Sequence, residues 1–289
     1  MRTIQDLLFY GIMEKNSNMI NLALNDGAKI DYKYYDRCTS VFLAAREGYA
    51  NSLKLLINSG ADIEASSFND ITPLFIAARF GYYKCIKLLL ESGADKEKVD
   101  NYGRTPLYIS TKFGYYKCIK LLLDSGADID KSDVYGRTPL YIATQRGHLQ
   151  CAKLLLKYGA DIDKSDIYGI TPVFFSALNG QSGSIKLLIR FGANIQKTAN
   201  NGDTPLIAAS QGGHEKCVNL LINEIYNDTS DKVLMYVYKH NLIFDTTFII
   251  YKKILKKCIT IENFNLDDPD THKKFYIIFQ EKFSNFKKN

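Results

Sequence analysis

Six cysteines and four histidines are the side chains of this 289-residue chain best suited to chemistry. Paired or clustered they could form disulfides or hold zinc, and singly a thiol or imidazole could serve as nucleophile or base. Their spacing speaks against each use. Cys85, Cys118 and Cys151 follow one another at 33 residues, and Cys217 lies two such steps further on, with Ser52 and Ser184 at vacant places of the same register. Residues that recur in this way fall on successive copies of one unit. Helices stacked about 8–10 Å apart keep such thiols outside the roughly 7 Å Cα separation that a disulfide tolerates. The four thiols therefore form a ladder of small buried hydrophobes, a state that fits a reducing compartment. Cys38 and Cys258 have no partner that the sequence identifies.

The other reactive combinations fare no better. His148, His214, His240 and His272 lack metal-ligand spacing, no glycine-rich loop ends in Gly-Lys-Ser/Thr, and no dinucleotide fingerprint or nucleophile elbow is present. No catalytic, cofactor or metal site is assigned, and the chain is expected to be a non-enzyme.

The elements that carry these residues are written in a period of 33. Thr39, Thr72, Thr105, Thr138, Thr171 and Thr204 mark it, five of them followed by Pro73, Pro106, Pro139, Pro172 and Pro205. A second ladder, Gly-Ala-Asp or a near variant, runs through Gly27, Gly60, Gly93, Gly126, Gly159 and Gly192. Within 100–132, Thr105 suits a helix N-cap and Pro106 the position after it. A first short helix then ends at Gly114. A second starts near Tyr115, carries Ile119 and Leu121 to Leu123, and ends at Gly126. The polar stretch that follows reads as an extended turn. Such a unit cannot bury its apolar face alone and needs neighbours on both sides.

The pattern Asp-x-x-Gly-x-Thr-Pro-Leu, then Gly-His, a Leu-Leu run and Gly-Ala-Asp resembles that of ankyrin-repeat proteins, nearly whole in 100–132 and 133–165. The resemblance implies an all-α ankyrin-repeat solenoid of helix-turn-helix units with projecting β-turn loops, and the tail's own apolar spacing adds a C-terminal helical extension. The units expected are a degenerate N-terminal capping repeat at 1–33, keeping only a second helix near 19–25, then repeats at 34–66, 67–99, 100–132, 133–165, 166–198 and 199–224. Residues 225–289 are expected to form the extension. The family's histidine after Thr-Pro-Leu is absent; the ladder there reads Phe42, Phe75, Tyr108, Tyr141, Phe174 and Ile207, a packing spine. His148 and His214 fall at the Gly-His that opens a second helix.

Lys plus Arg total 37 against 31 acids, a mild excess that does not require nucleic acid. Only eight are Arg, and the bias toward Lys, Asn, Ile and Tyr suits an AT-rich coding genome, as in some viruses, parasites and intracellular bacteria. No secretory signal and no apolar run of membrane-spanning length, about 18 residues, is visible. A monomer in the cytoplasm, without membrane or nucleic-acid partners, is expected. The tail has near-helical apolar spacing at 231–244, 246–259 and 271–286. In repeat style and composition the chain resembles poxvirus ankyrin proteins, many of which end in an F-box-like segment. That implies an alternative, a substrate adaptor whose tail recruits ubiquitin-ligase machinery, although the Leu-Pro opening of such a segment is absent.

By the resemblance, partner binding falls on loop tips and the outward side of the first helices. The candidates there are Phe68, Tyr102, Arg104, Tyr135, Arg137 and Tyr168 in the loops and Arg79, Phe80, Lys112, Phe113 and Arg146 at the helix ends. Tyr and Arg are enriched among binding hot spots, and exposed apolar patches mark interaction surfaces. Tyr102, Tyr135 and Tyr168 recur at one place, so a structural role copied by duplication is the competing account. A weak joint is expected at 180–184, where Gly183 enters the first turn of a second helix and Ser182 and Ser184 replace bulkier residues.

Overall fold

Threonine followed by proline starts the first helix of five units, and the geometry shows why. In the computed structural model, which describes residues 3–225, each threonine hydroxyl of the ladder accepts from the amide three residues on, as Thr105 does from Tyr108 at 3.1 Å. Proline at the first helical position has no amide to leave unpaired. The described residues form fourteen α-helices, paired as first and second helices of seven units. The N-terminal pair is α1 (Ile4–Met13) and α2 (Ser17–Asn25). The next are α3 (Ser40–Arg46) with α4 (Ala50–Asn58), α5 (Pro73–Phe80) with α6 (Tyr83–Glu91), and α7 (Pro106–Lys112) with α8 (Tyr116–Asp124). The last are α9 (Pro139–Gln145) with α10 (Leu149–Lys157), α11 (Pro172–Leu178) with α12 (Ser182–Arg190), and α13 (Pro205–Gln211) with α14 (Glu215–Ile225). The expected tail helices, and with them the ligase-recruiting alternative, lie outside the described residues.

Residues 1–33 hold more than the lone second helix expected of them. Helix α1 is nucleated by a different signal, a capping box in which the Thr3 hydroxyl accepts from the Asp6 amide and the Asp6 carboxylate accepts from the Thr3 amide. That signal lacks the Thr-Pro that five of the other units carry.

One continuous apolar core runs through the stack from Leu8 to Ile222. Successive first helices approach one another over more of their length than successive second helices do. Small pairs at the centre of each first helix from α3 onward permit this: Ala44-Ala45, Ala77-Ala78, Ser110-Thr111, Ala143-Thr144, Ser176-Ala177 and Ala209-Ser210, all buried. The apolar ladder Phe42, Phe75, Tyr108, Tyr141, Phe174 and Ile207 is buried throughout, as are Cys85, Cys118, Cys151 and Cys217, all free thiols. Burial pushes Cys85 and Cys118 up to about 11, which leaves them unreactive near neutral pH.

The joint before α12 is built differently from its neighbours. In the flanking units a histidine ring packs over the glycine of the preceding unit and bonds to its backbone. His148 Nε2 lies 3.1 Å from the Lys112 carbonyl and His214 Nε2 lies 2.9 Å from that of Leu178. Gln181 occupies this place before α12. It restores the hydrogen bond, its amide donating to the Gln145 carbonyl at 2.9 Å, but leaves the space beside Gly147 open where His148 covers Gly114. In the first-helix layer the half-buried Phe175 ring stands where the other central units carry isoleucine and meets Tyr141 at 5.4 Å. Helices α9 and α11 approach less extensively than any other successive pair of first helices from α3 onward.

Candidate functional site

The loops that project between units are held from below by a buried aspartate. Asp133 is the fullest case: Oδ1 accepts from the amides of Tyr135 and Arg137, both at 3.0 Å. Its Oδ2 accepts from Arg137 Nε at 2.8 Å, Arg137 Nη2 at 2.6 Å and the Tyr108 hydroxyl of the preceding unit at 2.9 Å. Asp100 holds Tyr102 and Arg104 in the same way, with Arg104 Nε at 2.8 Å. Asp166 keeps the backbone pair to Tyr168 and Ile170, and Tyr141 donates to it at 3.3 Å. Desolvation first, and then the charge of the partner carboxylate, pushes both phenols, Tyr108 and Tyr141, above their ordinary range, so each remains the donor.

Successive loops are also tied to one another. The amides of Val134, Ile167 and Asn200 each donate at 3.0 Å to the carbonyls of Tyr102, Tyr135 and Tyr168 respectively. This backbone ladder fixes the tips before any partner arrives. On the far side of each unit, a second ladder joins the turns after the second helices. Carboxylates of Asp31, Glu64, Glu97, Asp130 and Asp163 accept from the amides of Asp62, Asp95, Asp128, Asp161 and Asn194 in the unit that follows.

Against this frame the eleven candidate residues separate into three groups. Phe68, Tyr102, Tyr135 and Tyr168 are exposed at loop tips. Arg104 and Arg137 are only partly exposed, and their guanidinium groups are bound to Asp100 and Asp133 while resting 4.8 and 4.7 Å from the ring centres of Tyr102 and Tyr135. These two arginines brace the loops, and in doing so orient the tyrosine rings.

Arg79, Phe80, Lys112, Phe113 and Arg146 make up the third group, at the ends of α5, α7 and α9. Phe80 and Phe113 are 44% and 43% exposed, yet both are held: Phe80 stacks on Tyr82 at 5.9 Å and Phe113 on Tyr115 at 6.1 Å. The Arg79 guanidinium and Lys112 ammonium each sit 6.0 Å from the neighbouring ring centre. Side-by-side packing of α5, α7 and α9 sets these helix ends in one row, and the Lys112 ammonium there is pushed below its ordinary value first by burial and then by Arg104, Arg146, Arg137 and Arg79. Among the described residues no three His, Cys, Asp or Glu side chains converge as a metal site, and no helix is long and apolar enough to cross a membrane.

The tyrosine-to-aspartate bonds between units and the two backbone-directed ladders were missed from sequence. A signal for each was present. An acid recurs at 31, 64, 97, 130 and 163, and the two spine tyrosines are each followed, 25 residues on, by an aspartate, Asp133 and Asp166.

The family described as Ankyrin repeats (3 copies) matches residues 8–100, 41–133, 74–166 and 163–232. No match is found among curated protein sequences. Among solved structures, the ankyrin repeat domain of Bcl-3, described as a unique member of the IkappaB protein family, is similar at 26% identity and a TM-score of 0.68. The match covers 74% of this chain and 96% of that one. The human ASB11 ankyrin repeat domain is similar at 26% identity and a TM-score of 0.66, with the same coverage. Arrays of this kind are generally protein-interaction modules and typically not enzymes. With matches running from residue 8 to residue 232, and the periodic helix pairs beneath them, the chain belongs to the ankyrin-repeat family.

Proposed function

We propose that the chain is a non-enzymatic scaffold that binds one folded protein partner through the loop tips and first-helix face of its central units. The observation that carries this reading is the row of exposed rings: Phe68, Tyr102, Tyr135 and Tyr168 on loops tied to one another by backbone hydrogen bonds, and Phe80 and Phe113 at helix ends, stacked on Tyr82 and Tyr115. Rings held in place lose little freedom on binding, so more of their contact area is realised as affinity. Free buried thiols support work in a reducing compartment, the cytoplasm.

The test replaces Phe80, Phe113 and Arg146 together by alanine. All three side chains are exposed, so the circular dichroism and melting of the variant should match the parent, while capture of the partner is lost. Full capture by a normally folded variant would move the binding surface elsewhere.

A further inference from the structure

Three cations on the first-helix face have no carboxylate to answer them. Arg46 in α3 is paired with Glu47 at 2.8 Å. Arg79 in α5 and Lys112 in α7 occupy the same register, and Arg146 caps α9, yet none of these makes an ion pair with a described residue. A cation near a helix C-terminus is favoured by the helix dipole, which accounts for each one singly. It does not account for their convergence: α5, α7 and α9 pack side by side, so their C-terminal ends fall in one row. The Lys112 ammonium is pushed below its ordinary value, first by burial and then by Arg104, Arg146, Arg137 and Arg79. Of these five cations only Arg104 and Arg137 are balanced, by the buried Asp100 and Asp133. Crowding of like charge is a standing cost to the free surface that an anionic ligand relieves.

The spacing of the charges selects among anions. They stand about one unit apart, roughly 10 Å, with the exposed rings of Phe80 and Phe113 beside them. A polyproline-II segment, with three residues per turn and about 3.1 Å per residue, covers that distance in about three residues and returns a side chain to the same face. Nucleic acid presents a charge every few ångströms and calls for a denser row of cations.

We infer that this face takes an acidic polypeptide segment, its carboxylates about every third residue against Arg79, Lys112 and Arg146, its apolar side chains on Phe80 and Phe113. The inference rests on the first-helix face being the binding surface.

The probe is a fluorescein-labelled twelve-residue peptide of four Glu-Leu-Ser triplets, titrated into the full chain and followed by anisotropy. Beside it run a Lys-Leu-Ser counterpart and a single-stranded oligonucleotide. The acidic peptide should bind, Lys112→Glu should weaken it roughly tenfold or more, and Phe80→Ala with Phe113→Ala should weaken it further. Lys112→Gln, a milder change, should fall between. No binding of the acidic peptide, equal binding of the lysine peptide or the oligonucleotide, or indifference to Lys112→Glu overturns the inference.

A second arm separates this from the broader reading. A photo-crosslinking residue is placed at Phe113 or, on the second-helix side, at Tyr116, and cross-linked segments are sequenced. Acidic segments at Phe113 support the inference. Neutral or basic segments at Phe113 overturn it and leave the face as the binding surface, whereas cross-links confined to Tyr116 overturn the face itself.

Discussion

Replacing Tyr108 by phenylalanine removes one hydroxyl and nothing else, at a place where the sister units already carry Phe42, Phe75 and Phe174. The ring therefore fits, and the change isolates the hydrogen bond to Asp133. Tyr108 is fully buried, and the Asp133 carboxylate it meets is shielded from water. A hydrogen bond to a charged group contributes about 1.5–3 kcal/mol. After the change Asp133 still has two amide donors and two guanidinium donors, so it is not orphaned, and the cost should lie near the lower end, about 1.5 kcal/mol. Tyr141→Phe is the internal control. Its bond to Asp166 is longer, 3.3 Å, and ends on a half-buried carboxylate that water can reach, so its loss should cost about 0.5–1 kcal/mol. Urea denaturation gives the order of the two costs, and hydrogen exchange at the Tyr135 and Arg137 amides reports the loop itself. A Tyr108 variant no less stable than the parent, or one hit more lightly than the Tyr141 variant, would refute the idea that the buried aspartate couples one unit's helix to the next unit's loop.

Leu122→Ala, at a fully buried position of α8, should cost about 2–5 kcal/mol and speed exchange in the adjoining units as well as its own; an unchanged melting curve would contradict the packing. Cys85 and Cys118 should resist a thiol reagent in the native protein at pH 8, labelling only as fast as the array opens. Because their folded values of about 11 stand above the ordinary 9.0, the unfolded chain gives up these protons first. Stability should be intact below pH 9 and fall between pH 9 and 11, and a denaturation midpoint flat across that window would count against it. Exchange in Ile185–Ile189 should outpace that in Ile119–Leu123, given the open space beside Gly147 and the glycine at 183. Gly183→Ala should slow it, since the added carbon meets only the flexible end of Leu149 at 3.2 Å; equal protection in the two segments removes the weak joint.

The helices were legible because their signals are local. Threonine-proline, a terminal glycine and an apolar run each act within a few residues, and the period repeats them until no other register fits. Helix α1 escaped because its start, Thr3 with Asp6, uses another cap. The candidate surface was legible only in part, for a physical reason. Exposure of Phe80 and Phe113 follows from their place at a helix end, whereas the fate of Arg104 and Arg137 depends on a carboxylate four residues back being buried by the unit before it. Spacing alone left two readings for those arginines, hot spots or copied braces, and the geometry gives them bonds within the loop.

That outcome changes where specificity can reside. On the proposed reading, the side chains locked to Asp100 and Asp133 serve the fold with their charge already balanced, and so they contribute little to a choice of partner. The choice falls to positions where register is kept but identity is not. At the end of the first helix the series reads Glu47, Phe80, Phe113, Arg146, Asn179 and Gly212, an acid, two rings, a cation, an amide and a bare backbone in successive units. Nothing in the spine or the ladders constrains that column to one residue type, since it lies beyond the last buried turn. If this face binds as proposed, the two rings followed by Arg146 are where its match to a partner segment should be most demanding.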